Sequence, residues 1–170
     1  EDVYRIDQGI ERYMTKTQKK TADFMEGCME LGGLLGDWQE DEIIELKKYG
    51  HALGMAFQIT DDIMDYRETA ETTGKPVGND LREGLLTYPL LSIVNDGNKD
   101  KLLEDIKGLN NGGNEQDIID YVIAQGGIDN TLAVADKYCK DALAALAAVR
   151  DFPGKEFLVM AVENLADRKV

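Results

Sequence analysis

The feature that most constrains the fold is a long segment, residues 41–68, which carries apolar residues along its length. They include Ile44, Leu53, Phe57, Ile59 and Ile63, and the segment contains none of the three prolines, so it is predicted to be one helix. A single helix of this length exceeds the usual about 10–14 residues of a globular helix, so it is suited to the centre of a bundle. The segment ends in a group of aspartates, which links the predicted fold to the candidate chemistry.

The rest of the chain also reads as helices, because no convincing apolar–polar alternation indicates a strand and only three prolines occur. The glycine- and asparagine-rich stretch 108–114 is predicted to be a surface loop. We expect an all-α helical bundle in a single domain, residues 1–170. Other helices are predicted around 3–13, at 17–35 with Thr17 as its N-cap, and at 79–95 with a bend at Thr87–Pro89, where proline removes a backbone donor. Further helices are predicted at 114–125 with Asn114 and Asp117 at capping spacing, from Asp129 or Asn130 to about Arg150, and after Pro153.

Composition narrows the function classes. The 170 residues carry a formal net charge of −14, which argues against unassisted binding to nucleic acid or anionic lipid. No run of about 18 apolar residues occurs, so no stable membrane insertion is expected. Cys28 and Cys139 lie far apart without a CxxC pattern, and we expect buried, reduced thiols. A cytoplasmic protein fits these properties.

The candidate chemistry centres on three aspartates at the end of the long helix. Asp61, Asp62 and Asp65 occupy positions i, i+1 and i+4, which places Asp61 and Asp65 one turn apart on the same face. A glycine-containing stretch with Lys75 follows at 74–78. Carboxylates beside a mobile lysine suit Mg²⁺ bound together with a phosphate or diphosphate. A solvated acidic helix face is the alternative, since a DDxxD string arises easily in so acidic a chain.

The whole block 57–91 is more informative than the aspartates alone. It resembles the second aspartate-rich region of the trans-isoprenyl diphosphate synthases, the polyprenyl synthetase family, whose pattern runs roughly FQxxDDxxD, GKxxGxDL and GxxTxPLL. The matching residues are Phe57, Gln58, Asp61, Asp62, Asp65, Gly74, Lys75, Gly78, Asp80, Leu81, Gly84, Thr87, Pro89, Leu90 and Leu91. The family's KTA motif is matched upstream by Lys20, Thr21 and Ala22.

This resemblance implies the C-terminal portion of an all-α bundle of the isoprenoid synthase type. It implies that Asp61, Asp62 and Asp65 bind Mg²⁺ directly or through waters. It further implies that four residues contact or steady the allylic diphosphate: Lys20, Thr21, Gln58 and Lys75. Asp80 is expected to cap the following helix or to orient Lys75, with capping the stronger reading.

The implied activity is a Mg²⁺-dependent prenyl transfer, in which isopentenyl diphosphate is condensed with an allylic prenyl diphosphate by a homodimeric enzyme. The resemblance covers the C-terminal half of the family: no second DDxxD string and no Arg-Arg pair occur in the sequence. We therefore expect this chain to be inactive alone. A non-catalytic helical partner subunit of a heteromeric prenyl diphosphate synthase is the alternative function.

Overall fold

The computed structural model describes Ile6, residues 9–67 and residues 78–167, and these contain helices without strands, which confirms the predicted all-α class. The nine α-helices of the described residues are α1 Gly9–Thr17, α2 Asp23–Leu35, α3 Glu40–Arg67, α4 Asn79–Arg82, α5 Tyr88–Leu91, α6 Lys99–Gly108, α7 Glu115–Ala124, α8 Gly127–Ala147 and α9 Lys155–Asp167. A π-helical turn, Gln18–Ala22, joins α1 to α2, and a 3₁₀ turn, Leu109–Asn111, follows α6.

The chain forms two compact units. Unit 1 comprises Glu1–Tyr13 with Asp61–Thr131, and unit 2 comprises Met14–Thr60 with Leu132–Val170. The division falls inside α1, α3 and α8, so these three helices contribute residues to each unit. The single-domain prediction stays a prediction.

Unit 2 is held together by small and branched side chains from three helices. The first half of α3, the second half of α8 and α9 share one apolar cluster. Tyr49 is fully buried in it, and its hydroxyl donates to the Leu158 carbonyl oxygen at 2.9 Å. The buried members are Leu46, Tyr49, Ala52, Ala56, Cys139, Ala142, Ala145, Leu146, Val149, Val162 and Leu165.

Two glycines let the segment before and within α2 lie close to α3. A Cβ added at Gly54 would come within 2.6 Å of Ala22 Cα, and one at Gly50 within 2.6 Å of the Met25 carbonyl oxygen. Side chains larger than hydrogen therefore do not fit between these backbones. This contact fixes the π-helical turn, which contains Lys20 and Thr21, against α3.

Unit 1 contains the last two turns of α3, from Asp61, and the helices from α4 to the start of α8. Its core consists mainly of aliphatic side chains, among which Leu81, Leu90, Ile106, Ile119 and Val122 are at most 1% exposed. The Cβ of a residue replacing Gly127 would lie 2.5 Å from the Pro89 carbonyl oxygen, so α8 begins in close contact with α5. The core thus supports the end of α3 that carries the aspartates.

Three sequence-based expectations were wrong in detail. Thr17 does not start a helix: its backbone is helical, its side chain makes no capping hydrogen bond, and the helical turn continues through it. The predicted helix 79–95 is divided into α4 and α5, because Gly84 adopts a φ of 74° and Thr87 is extended. Cys28 is exposed, whereas Cys139 is buried as expected, and neither cysteine forms a disulfide.

Other expectations are confirmed. The long helix, expected at 41–68, is α3, Glu40–Arg67, and 114–125 corresponds to α7 with Asn114 as its N-cap. The Asn114 side chain accepts a hydrogen bond from the Gln116 backbone N–H at 3.2 Å. Helix α6 is not among the predicted elements.

Candidate functional site

The three aspartates lie on the last two turns of α3 in different environments. Asp61 is exposed, Asp62 is 5% exposed, and Asp65 is partly buried. The three residues share one end of α3, but among the described residues their carboxylate oxygens do not all lie within 4.8 Å of one another, and their surroundings separate their roles. Asp61 is the member that presents its carboxylate to solvent.

Asp62 is held by two donors from distant parts of unit 1. The Tyr13 hydroxyl donates to Asp62 Oδ2 at 2.5 Å, and the Tyr88 backbone N–H donates to the same oxygen at 3.3 Å. The rings of Tyr13 and Tyr88 also contact each other edge to face, with centroids 5.6 Å apart. A buried carboxylate needs such donors to remain charged at low cost.

Asp65 connects the end of α3 to the start of α4. Its Oδ1 accepts from the Asn79 backbone N–H at 3.1 Å, and its Oδ2 accepts from the Asp80 N–H at 3.2 Å. The Gly78 N–H donates to the Asp65 carbonyl oxygen at 3.1 Å. Burial raises the pKa of Asp65, while the two backbone donors and the charge of Arg82 oppose the rise. Asp65 thus caps α4, a role that we expected of Asp80.

A buried phenol lies next to the aspartates. Tyr66 is 3% exposed, and its hydroxyl has no hydrogen-bond partner of acceptable geometry among the described residues. Burial raises the pKa of Tyr66 well above its usual range, and the carboxylates of Asp62, Asp65 and Asp80 add to the rise. The phenol therefore stays neutral beside the cluster.

The residues of the KTA motif lie in unit 2. Thr21 and Lys20 are part of the π-helical turn Gln18–Ala22, and π-helical turns occur frequently at functional sites. The Thr21 hydroxyl donates to Gln58 Oε1 at 3.2 Å, so these two predicted site residues are in contact. Lys20 is exposed. Lys75 lies outside the described residues.

His51 is partly exposed and pairs with a carboxylate. Its Nδ1 lies 3.4 Å from Glu26 Oε2. The ligand atoms of Asp23, Glu26 and His51 lie within 4.8 Å of one another. Lys47 pairs with Glu26 at 3.7 Å, so the negative charge of this group is partly balanced by a lysine.

Sequence reasoning missed Tyr13 and Tyr88 and the backbone donors of Asn79 and Asp80. Tyr13 and Asp62 are 49 residues apart, and no spacing rule links them. Backbone N–H groups are present in every non-proline residue, so their use as donors has no sequence signature. The glycine at position 78 is the local sequence indication that a turn precedes a helix, and in the structure Gly78 adopts a φ of 74°.

Among the helices of the described residues, none combines the length and apolarity required to cross a membrane. This agrees with the absence of a long apolar run in the sequence.

The known proteins that are similar to this chain include several prenyl diphosphate synthases. A model of the polyprenyl synthetase family matches residues 2–125. Component 2 of the heptaprenyl diphosphate synthase of Geobacillus stearothermophilus is 32% identical over 142 residues, which cover 84% of this chain and 44% of that protein.

Solved structures of prenyl synthases are also similar to the chain. A heptaprenyl diphosphate synthase from Staphylococcus aureus matches with a TM-score of 0.86 and 28% identity over 99% of this chain and 54% of its own. A polyprenyl synthase from Caulobacter crescentus CB15, complexed with calcium and isoprenyl diphosphate, gives 0.80 and 30% identity, covering 93% of this chain and 49% of its own. The chain thus spans about half the length of the relatives it matches.

Proposed function

Because the chain belongs to the polyprenyl synthetase family, we propose that it supplies the half of a prenyl diphosphate synthase that binds the allylic diphosphate through Mg²⁺. The observation that carries this proposal is the exposed carboxylate of Asp61 beside two aspartates that protein donors hold in place. An ordinary acidic surface has no need of neutral donors that fix its carboxylates. The arrangement favours a metal site over a solvated acidic face.

The donor chemistry fits Mg²⁺. This ion prefers a few carboxylate oxygens together with oxygens of the substrate's phosphates. Asp61 would be the direct ligand, while Asp62 and Asp65, whose oxygens already accept hydrogen bonds, would bind through water or orient the cluster. Mg²⁺ would supply Lewis-acid stabilisation of the leaving diphosphate. The Caulobacter structure, which contains calcium and isoprenyl diphosphate, supports this reading.

The proposed reaction joins two substrates of the same class. The bond between C1 and oxygen of the allylic diphosphate breaks, and the diphosphate leaves with the electron pair. The terminal alkene carbon of isopentenyl diphosphate bonds to C1, and loss of a proton from the adduct restores a double bond. Positive donors that hold the diphosphate lower the barrier without being consumed.

Four side chains would act on the diphosphate in this scheme. Lys20 and Lys75 would contact it as cations. Thr21 and Gln58 would steady the site through the hydrogen bond that joins them, at 3.2 Å. The close approach of Gly54 to Ala22 supports this assignment, since it fixes the turn that carries Lys20 and Thr21.

Turnover would require the other half of the fold. The sequence contains one DDxxD string and no Arg-Arg pair, so the chain alone would bind the allylic diphosphate without elongating it. Loss of half of a preorganised site removes both positioning and charge stabilisation. The homodimer and the cytoplasmic location stay predictions.

A second candidate is a helical partner subunit that acts by association. One relative is named as component 2 of a heptaprenyl diphosphate synthase. Helix α2 also exposes a stripe of apolar side chains, with Phe24 72%, Leu31 55% and Leu35 80% exposed. A subunit of this kind would raise the activity of a partner even when Asp61 is replaced.

The test is Mg²⁺-dependent binding of geranyl diphosphate by the chain, measured by calorimetry. Asp61→Asn should weaken binding at least about tenfold, since a charged ligand to the ion is lost. Asp100→Asn is the matched control, because it removes the same charge from an exposed aspartate on α6. Equal affinities of the two variants, or binding that persists without divalent cations, would contradict the proposal.

A further inference from the structure

Asp62 differs from the other two aspartates in how it is held. Asp61 is exposed and Asp65 accepts only backbone donors in the hydrogen bonds given above, whereas Asp62 also accepts a side-chain hydroxyl. The carboxylate of Asp62 is almost fully buried, at 5% exposure. A buried ionised carboxylate is costly unless charge-assisted hydrogen bonds compensate for the lost water.

The hydrogen bond from Tyr13 has the geometry of a strong one. An O–H donor at 2.5 Å from a carboxylate oxygen lies at the short end of the range for charge-assisted bonds. The Tyr88 N–H donates to the same oxygen at 3.3 Å. The Tyr13 ring also contacts the Tyr88 ring at 65°, an edge-to-face arrangement that fixes both rings. Helices α1, α3 and α5 therefore meet at one carboxylate oxygen.

The chemical character of the donor matters for a site that must attract a cation. A lysine or arginine at this position would also stabilise Asp62, but its positive charge would offset the negative charge that attracts Mg²⁺. A phenol and a backbone amide are neutral. They hold the carboxylate in one orientation and leave its charge available.

We propose that Tyr13 is a positioning residue of the metal site, which holds Asp62 so that the aspartate cluster is preorganised for Mg²⁺ and diphosphate. This inference rests on the proposed function and extends it to a residue of α1 outside the aspartate motif. Tyr13 acts through Asp62, and its hydroxyl makes the essential contact. Its ring supports the contact by packing on Tyr88.

The variant Tyr13→Phe tests this role because it keeps the ring and removes the hydroxyl. The Mg²⁺ concentration that gives half-maximal binding of geranyl diphosphate should rise about ten- to hundredfold, as expected from loss of a hydrogen bond to a charged group. Tyr121→Phe is the matched control: Tyr121 also lies in unit 1, is partly buried, and loses a hydrogen bond from Asn98 Nδ2 at 3.3 Å. It should leave the Mg²⁺ midpoint unchanged.

Asp62→Asn alone and combined with Tyr13→Phe complete a double-mutant cycle. If Tyr13 acts through Asp62, Tyr13→Phe has no further effect on the Mg²⁺ midpoint when Asp62 is already replaced. Thermal unfolding without Mg²⁺ is measured in parallel, because a merely structural role would lower the melting temperature of Tyr13→Phe without changing the Mg²⁺ midpoint.

The outcomes separate the inference from the proposed function. An unsubstituted chain that does not bind geranyl diphosphate in the presence of Mg²⁺ overturns both. Binding that depends on Asp61 but not on Tyr13 overturns the inference alone, as do additive effects of the Tyr13 and Asp62 substitutions. A raised midpoint in Tyr13→Phe that disappears in the Asp62→Asn background supports both.

Discussion

Gly54→Ala should destabilise the chain, although alanine is the better helix former. Gly54 lies in the middle of α3, where replacement of glycine by alanine usually favours the helix by about 1 kcal/mol. In this structure the added Cβ would lie 2.6 Å from Ala22 Cα, 3.1 Å from Ala22 N and 3.3 Å from Ala22 Cβ. Carbon atoms in contact normally lie about 3.5–4.0 Å apart.

The magnitude follows from what the clash can move. Two of the three nearest atoms belong to the backbone of the π-helical turn, so no side-chain rotation relieves the contact. Overpacking of this kind costs about 1–3 kcal/mol, and the upper end applies where the backbone must shift. After the gain in helix propensity of about 1 kcal/mol, the net loss is about 2 kcal/mol. That loss corresponds to a decrease in melting temperature of about 4–8 °C for a chain of this size.

The assay is urea unfolding followed by circular dichroism, with binding of geranyl diphosphate measured on the same preparations. Gly27→Ala is the matched control, because Gly27 lies in the interior of α2 and an added Cβ there meets nothing within 4 Å. Gly27→Ala should raise the free energy of unfolding by up to about 1 kcal/mol. If Gly54→Ala is as stable as Gly27→Ala, the close approach of Gly54 to Ala22 is refuted.

Two further outcomes concern Tyr49 and the apolar stripe of α2. Burial raises the pKa of Tyr49 from 10.0 to about 12, so its folded state holds the phenol proton more tightly; this contribution is complete below about pH 10 and is lost as the pH rises to about 12. Between pH 9 and pH 12, the free energy of unfolding of the unsubstituted chain, measured with urea, should therefore fall by about 2 kcal/mol more than that of Tyr49→Phe. Equal decreases would contradict this. Replacing Leu31 and Leu35 by lysine should reduce self-association in size-exclusion chromatography, because the two side chains are 55% and 80% exposed. Ile123→Lys, at a residue 45% exposed on α7, is the control and should not change self-association. Equal elution of the unsubstituted chain and both variants would argue against the stripe as a contact surface.

The parts of the fold that the sequence predicts are those with a strong local pattern. The long helix is recognisable because apolar residues occur along its whole length, no proline interrupts it and acidic residues occupy its first turn. The start of α7 is recognisable from Asn114, whose side chain caps it. Local patterns mislead where turn geometry intervenes, as at Gly84 and Thr87, because the interruption between α4 and α5 depends on backbone angles.

The candidate site also has a part that the sequence predicts and a part that it does not. Spacing alone predicts that Asp61, Asp62 and Asp65 cluster, since one helix carries them all. The family resemblance adds Thr21 and Gln58, which the structure brings into contact. Neither the spacing nor the resemblance indicates Tyr13. Its partner Asp62 lies 49 residues away, and the contact exists only because tertiary packing brings α1 to the end of α3.

The chain's charge explains why the anchoring donors of the aspartates should be neutral. A formal net charge of −14 repels a diphosphate at long range, so under the proposed function capture would begin with a cation at the site. That cation is attracted only if the clustered carboxylates keep their charge, yet three carboxylates on two turns repel one another. The phenol of Tyr13 and the N–H groups of Tyr88, Asn79 and Asp80 reduce this repulsive cost through hydrogen bonds and add no positive charge. Under the proposed function, anchoring by neutral donors would let an acidic protein prepare a site for Mg²⁺ first and for the diphosphate second, and diphosphate binding should vanish when Mg²⁺ is removed.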